Sequence, residues 1–404
     1  MDGGAEQIKR VTFRDLFAVS EFRVLWTAQV LSVAGDQLAR VALTILVYDR
    51  TRSAFLAAVT FVASVVPTFV GGVTLAGLAD RFPRREVLIG CDLSSCVLVL
   101  VMAIPGVPLV ALVVLLFAVT LVGAPFTTAR AALYPDVLAG DKYVLGTAVT
   151  LTTSQFAQVI GFAVGGAVVG FFGVRVSLLV DAVTFGASAV MIRTWVRGRP
   201  ALRRPRDGTA APIADALSGA RLVFTSPALR TPMLFGWLAA FYNVPEGVVA
   251  PLARTLHGGS AAIGMLLAAG TLGVAVGAIA FSRLVAPTTR LRSMGPLAVG
   301  GCAVLVLFWF RPGLPLALVI LAVSGVFACY QIAANAAFVS ATPQARRGQA
   351  FGLALGGMSL GQGVAMILAG AAAQRFSPAS VIAAGGVAGM AVATAVAIAW
   401  AHER

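Results

Sequence analysis

Long apolar runs separated by short polar turns set the pattern of this 404-residue chain. A helix that crosses a bilayer needs about 20 mostly apolar residues. Twelve runs approach that length: 23–48, 54–78, 87–104, 108–133, 146–172, 175–196, 231–255, 261–285, 293–310, 314–338, 350–373 and 379–401. They are too long for strands and do not alternate with a period of two, so helices are predicted throughout.

One connection breaks the pattern. Residues 197–230 are long, polar and rich in Arg and Pro, as in Arg203-Arg204-Pro205-Arg206. This stretch reads as a linker, and its second part, Ile213 to Phe224, has the amphipathic character of a helix lying on a membrane surface. The two sides of the linker echo each other. Ser53-Ala54 opens span 2 and Ser260-Ala261 opens span 8. Pro105-x-x-Pro108 matches Pro312-x-x-Pro315. Pro135 ends span 4 as Pro343 ends span 10, and Gly146 and Gly348 then open spans 5 and 11. Such internal duplication is common in secondary transporters, with the substrate site where the repeats meet near the midplane. The expected fold is an all-α membrane protein whose twelve transmembrane helices form two pseudo-symmetric six-helix bundles. The expected division is an N-terminal segment 1–22, a first bundle 23–196, a linker 197–230, a second bundle 231–401 and a tail 402–404.

Composition agrees with lipid as the main solvent. Hydrophobic residues make up 59% of the chain and charged residues 11%, against roughly 25% charged in soluble domains. The net charge of +14 does not point to nucleic acid, because the basic residues sit in short loops between apolar runs. Lys9, Arg10, Arg14, Arg84, Arg85, Arg130, Arg193, Arg346 and Arg347 fall on one side; Arg50, Arg52, Arg175, Arg254, Arg311 and Arg375 fall on the other. That asymmetry predicts both termini in the cytoplasm of a cell-membrane protein. The N-terminus shows no cleavable signal pattern. The four cysteines lie inside apolar runs, without zinc-finger spacing or a disulfide framework.

The turn between spans 2 and 3 is Gly77-Leu78-Ala79-Asp80-Arg81-Phe82-Pro83-Arg84-Arg85. Its Gly-x-x-Asp-Arg-x-x-Arg-Arg pattern resembles the signature loop of the major facilitator superfamily of secondary transporters. The resemblance extends over essentially the whole chain and, within the family, to bacterial drug, macrolide and siderophore exporters of actinobacterial style. Gly35-Asp36-Gln37, Tyr48-Asp49-Arg50-Thr51-x-Ser53, Asp181-Ala182-x-x-Phe185, Gly219-x-Arg221, Ser226-Pro227-x-Leu229-Arg230 and Arg347-Gly348 support that branch. It implies a gating role for Gly77, Asp80, Arg81, Arg84 and Arg85, with Asp80 facing the start of span 11 and Arg84 pairing with Asp136. The bland reading of these residues is positive-inside anchoring. Pro83 stands where a glycine is more usual, so the turn geometry is expected to differ. An exporter motif in span 5 is partial: Gly161-Phe162-x-x-Gly165-Gly166 keeps the glycines and lacks the proline. Close helix packing explains these glycines at least as well.

Ionisable groups inside spans are costly and therefore functional candidates. Asp36 lies near the centre of span 1 and Arg40 one turn later on the same face. They read either as an internal ion pair or as a proton-coupling site. Glu246 is the counterpart in the second half, next to Pro245 and Gly247, which should break span 7; a place near the outer end is its idle alternative. Asp92 reads as structural or gating, and Asp181 as a helix-start acid or a packing group. Polar candidates for a central cavity are Gln29, Gln155, Gln158, Tyr242, Asn243, Tyr330, Gln331, Asn335 and Gln362.

The chain has no Gly-x-x-x-x-Gly-Lys-Ser/Thr loop and no His-Glu-x-x-His, so neither direct ATP drive nor zinc hydrolysis is expected. No cofactor or metal is expected, and no enzymatic activity. The expected function is proton-coupled export of a small amphipathic compound by alternating access. The expected partners are a small-molecule substrate, protons and the lipid bilayer, and a monomer suffices. Proton-driven import of a nutrient is the transport alternative, and a membrane sensor or scaffold is a reading of another class.

Overall fold

The computed structural model describes residues 12–75, 81–199 and 221–403. Among the described residues every regular element is helical. Among these residues, nine helical stretches are long and apolar enough to cross a membrane. Exposed Val110, Phe117, Val183, Leu316 and Val319 leave apolar side chains on their outer faces, as a lipid solvent requires. The protein is a multi-pass membrane protein.

The nine stretches differ from the twelve expected runs for physical reasons. The runs 146–172 and 175–196 belong to one 55-residue helical stretch, Asp141–Trp195. It is divided at Gly173, whose φ of 80° lies in the region that glycine enters without a Cβ penalty. The run at 87–104 forms the helix Arg84–Met102, but Arg84, Arg85, Glu86 and Asp92 lower its hydropathy. The run at 231–255 is broken into Pro227–Trp237, Ala239–Tyr242, Val244–Gly247 and Val249–Thr255. Pro245 and Gly247 sit at this break. Two proline and glycine expectations fail. Pro135 does not end its helix, which continues through Val137. Gly146 lies one turn and more inside a helix that starts at Asp141. Ala54–Gly72 is also interrupted, at Ser64 and Val65.

The helix ends are closed locally. Ser53 Oγ accepts from Leu56 N at 3.2 Å and Ser377 Oγ from Ser380 N at 3.1 Å, satisfying orphan N–H groups. Within spans, Thr44, Thr60, Thr120 and Thr271 return their hydroxyls to carbonyls four residues back, so the polar group is spent where water is scarce.

The packing is unequal along the membrane normal. One core joins the two halves of the chain: Val41, Phe61 and Phe162 pack with Val248, Leu252, Leu266, Phe308 and Ile382. Toward the termini the cores separate. Leu25, Leu88, Leu133 and Ile192 form one cluster; Phe235, Met294, Tyr330 and Ala393 form another. Small residues allow the joined end to close. A Cβ added at Gly166 would lie 2.9 Å from the Gly264 Cα, so these backbones touch directly. Asp49 pairs with Arg254, and Gln374 Nε2 donates to Ser53 Oγ at 3.1 Å. Among the described residues, Asp49–Arg254 is the one ion pair that links the halves. Among the described residues, the contacts that join the halves therefore gather toward the end opposite the termini.

Candidate functional site

Between the packed clusters lies internal space lined by polar side chains. A cavity of about 540 Å³ lies within the first half, with Asp36, Arg40, Asp92, Arg130 and Asp181 in its wall. A second cavity of about 230 Å³ adjoins it, lined by Tyr242, Asn243 and Glu246. Gln155 and Gln158 belong to both walls, and Gln158 Nε2 donates to Gln155 Oε1 at 3.2 Å. These two amides stand between the compartments.

The helix Ser20–Thr51 supplies Gln29, Asp36 and Arg40 to the cavity. Gln29 Nε2 donates to Ser154 Oγ at 2.6 Å. The structure does not contain the Asp36–Arg40 ion pair offered by their spacing. Arg40 Nη2 donates instead to the Ser64 carbonyl at 3.0 Å, and its guanidinium lies 5.4 Å from the Phe61 ring centroid. The Ser64 carbonyl is free for this because the helix is interrupted there. Arg40 nevertheless acts electrostatically on two carboxyls, Asp36 and Glu246. It is a charge shared between halves.

Glu246 is not at a solvated outer end. It is half-buried in the second cavity, on the short Val244–Gly247 helix. A broken helix at membrane depth is tolerated where it lines such a space.

The nine polar candidates divide. Gln29, Gln155, Gln158, Tyr242 and Asn243 line the cavities. Gln331 does not reach them, but its Nε2 donates to the Tyr242 hydroxyl at 2.5 Å and so positions that ring. Tyr330 is a correction. It is fully buried in the second-half core and donates its hydroxyl to the Phe235 carbonyl at 3.1 Å. Asn335 is exposed and Gln362 half-buried, and both lie outside the two cavities. A polar residue on a helix has an even chance of facing any neighbour, and spacing alone did not resolve these three.

Two further acids lie in the first half. Asp92 is buried, and accepts from Ser188 Oγ at 2.5 Å across two helices. Asp181 is 1% exposed and lies eight residues after the Gly173 break, beyond a helix start. Arg130 joins them, its guanidinium 5.7 Å from the Phe126 centroid. Intramembrane charge was the available signal for all three.

In the signature loop, Gly77 and Asp80 lie outside the described residues. Arg81 is exposed. Arg84 Nη1 lies 2.5 Å from Asp136 Oδ2 and donates to the Ala132 carbonyl at 2.7 Å. Arg85 donates to the Arg193 carbonyl, near a helix C-terminus where the dipole favours a cation. The two arginines tie the start of Arg84–Met102 to the ends of two other helices of the same half. The partial exporter motif is used for packing: Cβ atoms at Gly161 and Gly165 would meet Ala34 and Leu38 of the first span, and Gly166 faces Gly264.

A multi-pass array of helices with charged groups around internal cavities suits a membrane transporter, and the sequence matches accordingly. The Major Facilitator Superfamily model matches residues 25–245 and 243–404, and the chain belongs to that family. Among curated relatives, the enterobactin exporter EntS of Shigella boydii serotype 4 (strain Sb227) is 26% identical over 338 residues, covering 82% of this chain and 80% of the relative. The multidrug efflux pump Tap of Mycobacterium bovis (strain BCG / Pasteur 1173P2) is 28% identical over 324 residues, covering 74% of each. Among solved structures, a POT family transporter in complex with 5-aminolevulinic acid aligns with a TM-score of 0.76 at 10% identity, over 93% of this chain and 95% of that one. A bacterial homologue of the human lysosomal transporter Spinster, inward-facing and occupied, aligns with a TM-score of 0.68 at 14% identity, over 94% of each chain.

Proposed function

We propose that this protein is a secondary active transporter that exports a small amphipathic organic compound by proton antiport. The observation that carries the proposal is the pair of adjoining cavities, lined by apolar side chains, amides and carboxyls. The family membership supports transport, and the relatives named for enterobactin export and multidrug efflux support its direction. Twelve spans in two six-helix bundles, residues 23–196 and 231–401 around a linker at 197–230, are the arrangement we adopt. In the cell membrane the basic side, with both termini, faces the cytoplasm.

The two bundles rock about the site, exposing it to each side in turn. A carboxyl in such a site holds either a proton or a cationic group. Asp36 is the first proton-coupling residue and Glu246 the second, with Arg40 acting on both. Gly77, Asp80, Arg81, Arg84, Arg85 and Asp136 form the gating loop and its anchor. Gln29, Gln155, Gln158, Tyr242 and Asn243 contact substrate.

Proteoliposomes carrying an imposed pH gradient test this. Drugs and siderophores are added while internal pH is followed, in wild type and Asp36→Asn. Compound-triggered proton movement, lost in the variant, is expected. Proton movement that drives uptake with no efflux selects nutrient import instead, and full pH-driven transport in Asp36→Asn removes Asp36 from the mechanism.

A further inference from the structure

Arg130 has no role in the transport cycle just proposed. It is half-buried in the wall of the larger cavity, about two turns before the end of the helix Leu109–Val137. Among the described residues its guanidinium has the Phe126 ring, 5.7 Å from the centroid, and no hydrogen bond or ion pair. Asp92, in the same wall, is bonded to Ser188 instead. Arginine carries five N–H donors and no acceptor. A charge at membrane depth without an acid beside it is expensive to keep.

The contacts of its neighbours show where Arg130 points. Phe126, Arg130 and Tyr134 follow at intervals of four, on one face of their helix. The Tyr134 hydroxyl lies 3.2 Å from Thr150 Oγ1, and its ring centroid 6.1 Å from that of Phe22. That face therefore looks between the fifth and first spans, with Arg130 one turn deeper than Tyr134. On the fifth span, one turn deeper than Thr150, is Ser154. It accepts from Gln29 Nε2 at 2.6 Å and gives its own hydrogen to the Thr150 carbonyl at 2.8 Å. The residues preceding Gln29 and Arg130, Ala28 and Ala129, pack in one cluster. Gln29 and Arg130 thus share a layer of the cavity wall.

Three buried polar atoms of this wall have no hydrogen-bond partner among the described residues: Gln29 Oε1, Arg40 Nε and Asp181 Oδ2. Arg40 is tied to the Ser64 carbonyl. Asp181 rests on Gly35, where a Cβ would collide with its Oδ1. Gln29 is different, because Ser154 fixes its amide with Oε1 unused, on a residue 7% exposed. An unused buried acceptor is costly. The donors of Arg130 and the acceptor of Gln29 lie in one layer and do not bond to each other.

We propose that Arg130 and Gln29 form a subsite for the polar end of the transported compound, a carboxylate with an N–H or O–H donor beside it. The carboxylate takes the Arg130 fork, whose geometry suits two oxygens, and the neighbouring donor bonds to Gln29 Oε1. This deepens the transport reading and rests on it for the word transported; binding itself needs neither a gradient nor a coupled proton.

Dansylglycine has an apolar ring system and a carboxylate next to a sulfonamide N–H. Dansylglycinamide lacks the charge, and dansylsarcosine lacks the N–H. Binding of each to the full chain in lipid nanodiscs is read by fluorescence anisotropy, with empty discs subtracted. Wild type should bind the acid at least tenfold more tightly than the amide, and Arg130→Gln should abolish that ratio. Dansylsarcosine should bind wild type several-fold more weakly than dansylglycine, and Gln29→Leu should level the two. No preference for the acid in wild type, absence of binding included, overturns the subsite, as does a preference that survives in Arg130→Gln. If Arg130→Gln does not fold, Arg130→Lys decides, since it keeps the charge and loses the fork: a reduced preference supports the subsite and an undiminished one overturns it. Acid-selective binding in a protein that moves no compound would sink the transport reading alone and leave the subsite standing.

Discussion

Asp49 and Arg254 form an ion pair across the two halves of the chain, at the end opposite the termini. Their side chains are 46% (Arg254) and 44% (Asp49) exposed, so the pair is worth ~0.2–1 kcal/mol. In a two-state equilibrium that is a shift of up to about fivefold. Arg254→Ala should raise the fraction open at this end by that factor. A cysteine placed at Ser260, in a background without the native four, reports it through labelling by a membrane-impermeant maleimide. Labelling at the parental rate would show that the pair does not hold the end closed.

Gly166 and Gly264 make the neighbouring contact, and it is steric. Gly264→Val puts two methyl groups where the Gly166 backbone sits. Overpacking of this kind costs about 1–3 kcal/mol. The variant should melt at a lower temperature in detergent and label faster at Ser260→Cys. Gly352→Ala is the control, since a Cβ there meets nothing within 4 Å. It should hold or slightly raise the melting temperature, because alanine favours a helix by roughly 0.5–1 kcal/mol over glycine.

Ser188 holds Asp92 with one hydrogen bond of 2.5 Å, inside the first half. Ser188→Ala leaves a buried acceptor unpaired, at a cost of about 1–3 kcal/mol. Thermal unfolding of Ser188→Ala, Asp92→Ala and the double variant forms a cycle that isolates the pair. A double variant as unstable as the sum of the singles would mean that the two side chains do not support each other.

Arg84 and Asp136 form a contact that is reversible by exchange. Arg84→Asp should reduce stability by roughly 1.5–3 kcal/mol, the range for a hydrogen bond to a charged group. Adding Asp136→Arg should restore part of it, and part of the transport rate. Failure of the exchange to recover either would leave Arg84 with its other partner, the Ala132 carbonyl, as the main contact.

Much of this protein was legible in its sequence, because lipid imposes simple rules. A segment that crosses a bilayer must satisfy its own backbone, so it must be a long apolar helix. That constraint is local and was visible run by run. The loop from Gly77 to Arg85 carried the family for a similar reason, since its residue types and spacing lie within nine consecutive positions. Asp36 and Glu246 stood out because a charge in an apolar run is expensive wherever it points.

The rest was decided in three dimensions. Whether Tyr330 faces a cavity or a core depends on which helix lies across from it, and here that is Pro227–Trp237, through the Phe235 carbonyl. Arg40 turned from Asp36 to Ser64 because a helix broke nearby, an event that the apolar pattern of 54–78 did not mark. Asp181 looked like a helix-start acid in the sequence. Its meeting with Gly35 joins positions 146 residues apart, and its missing donor is the absence of a neighbour. The sequence by itself determined the solvent, the helices and the family, since each follows from consecutive residues. Only the tertiary structure decided which polar groups share a cavity, because that depends on the rotation and contact of helices distant along the chain.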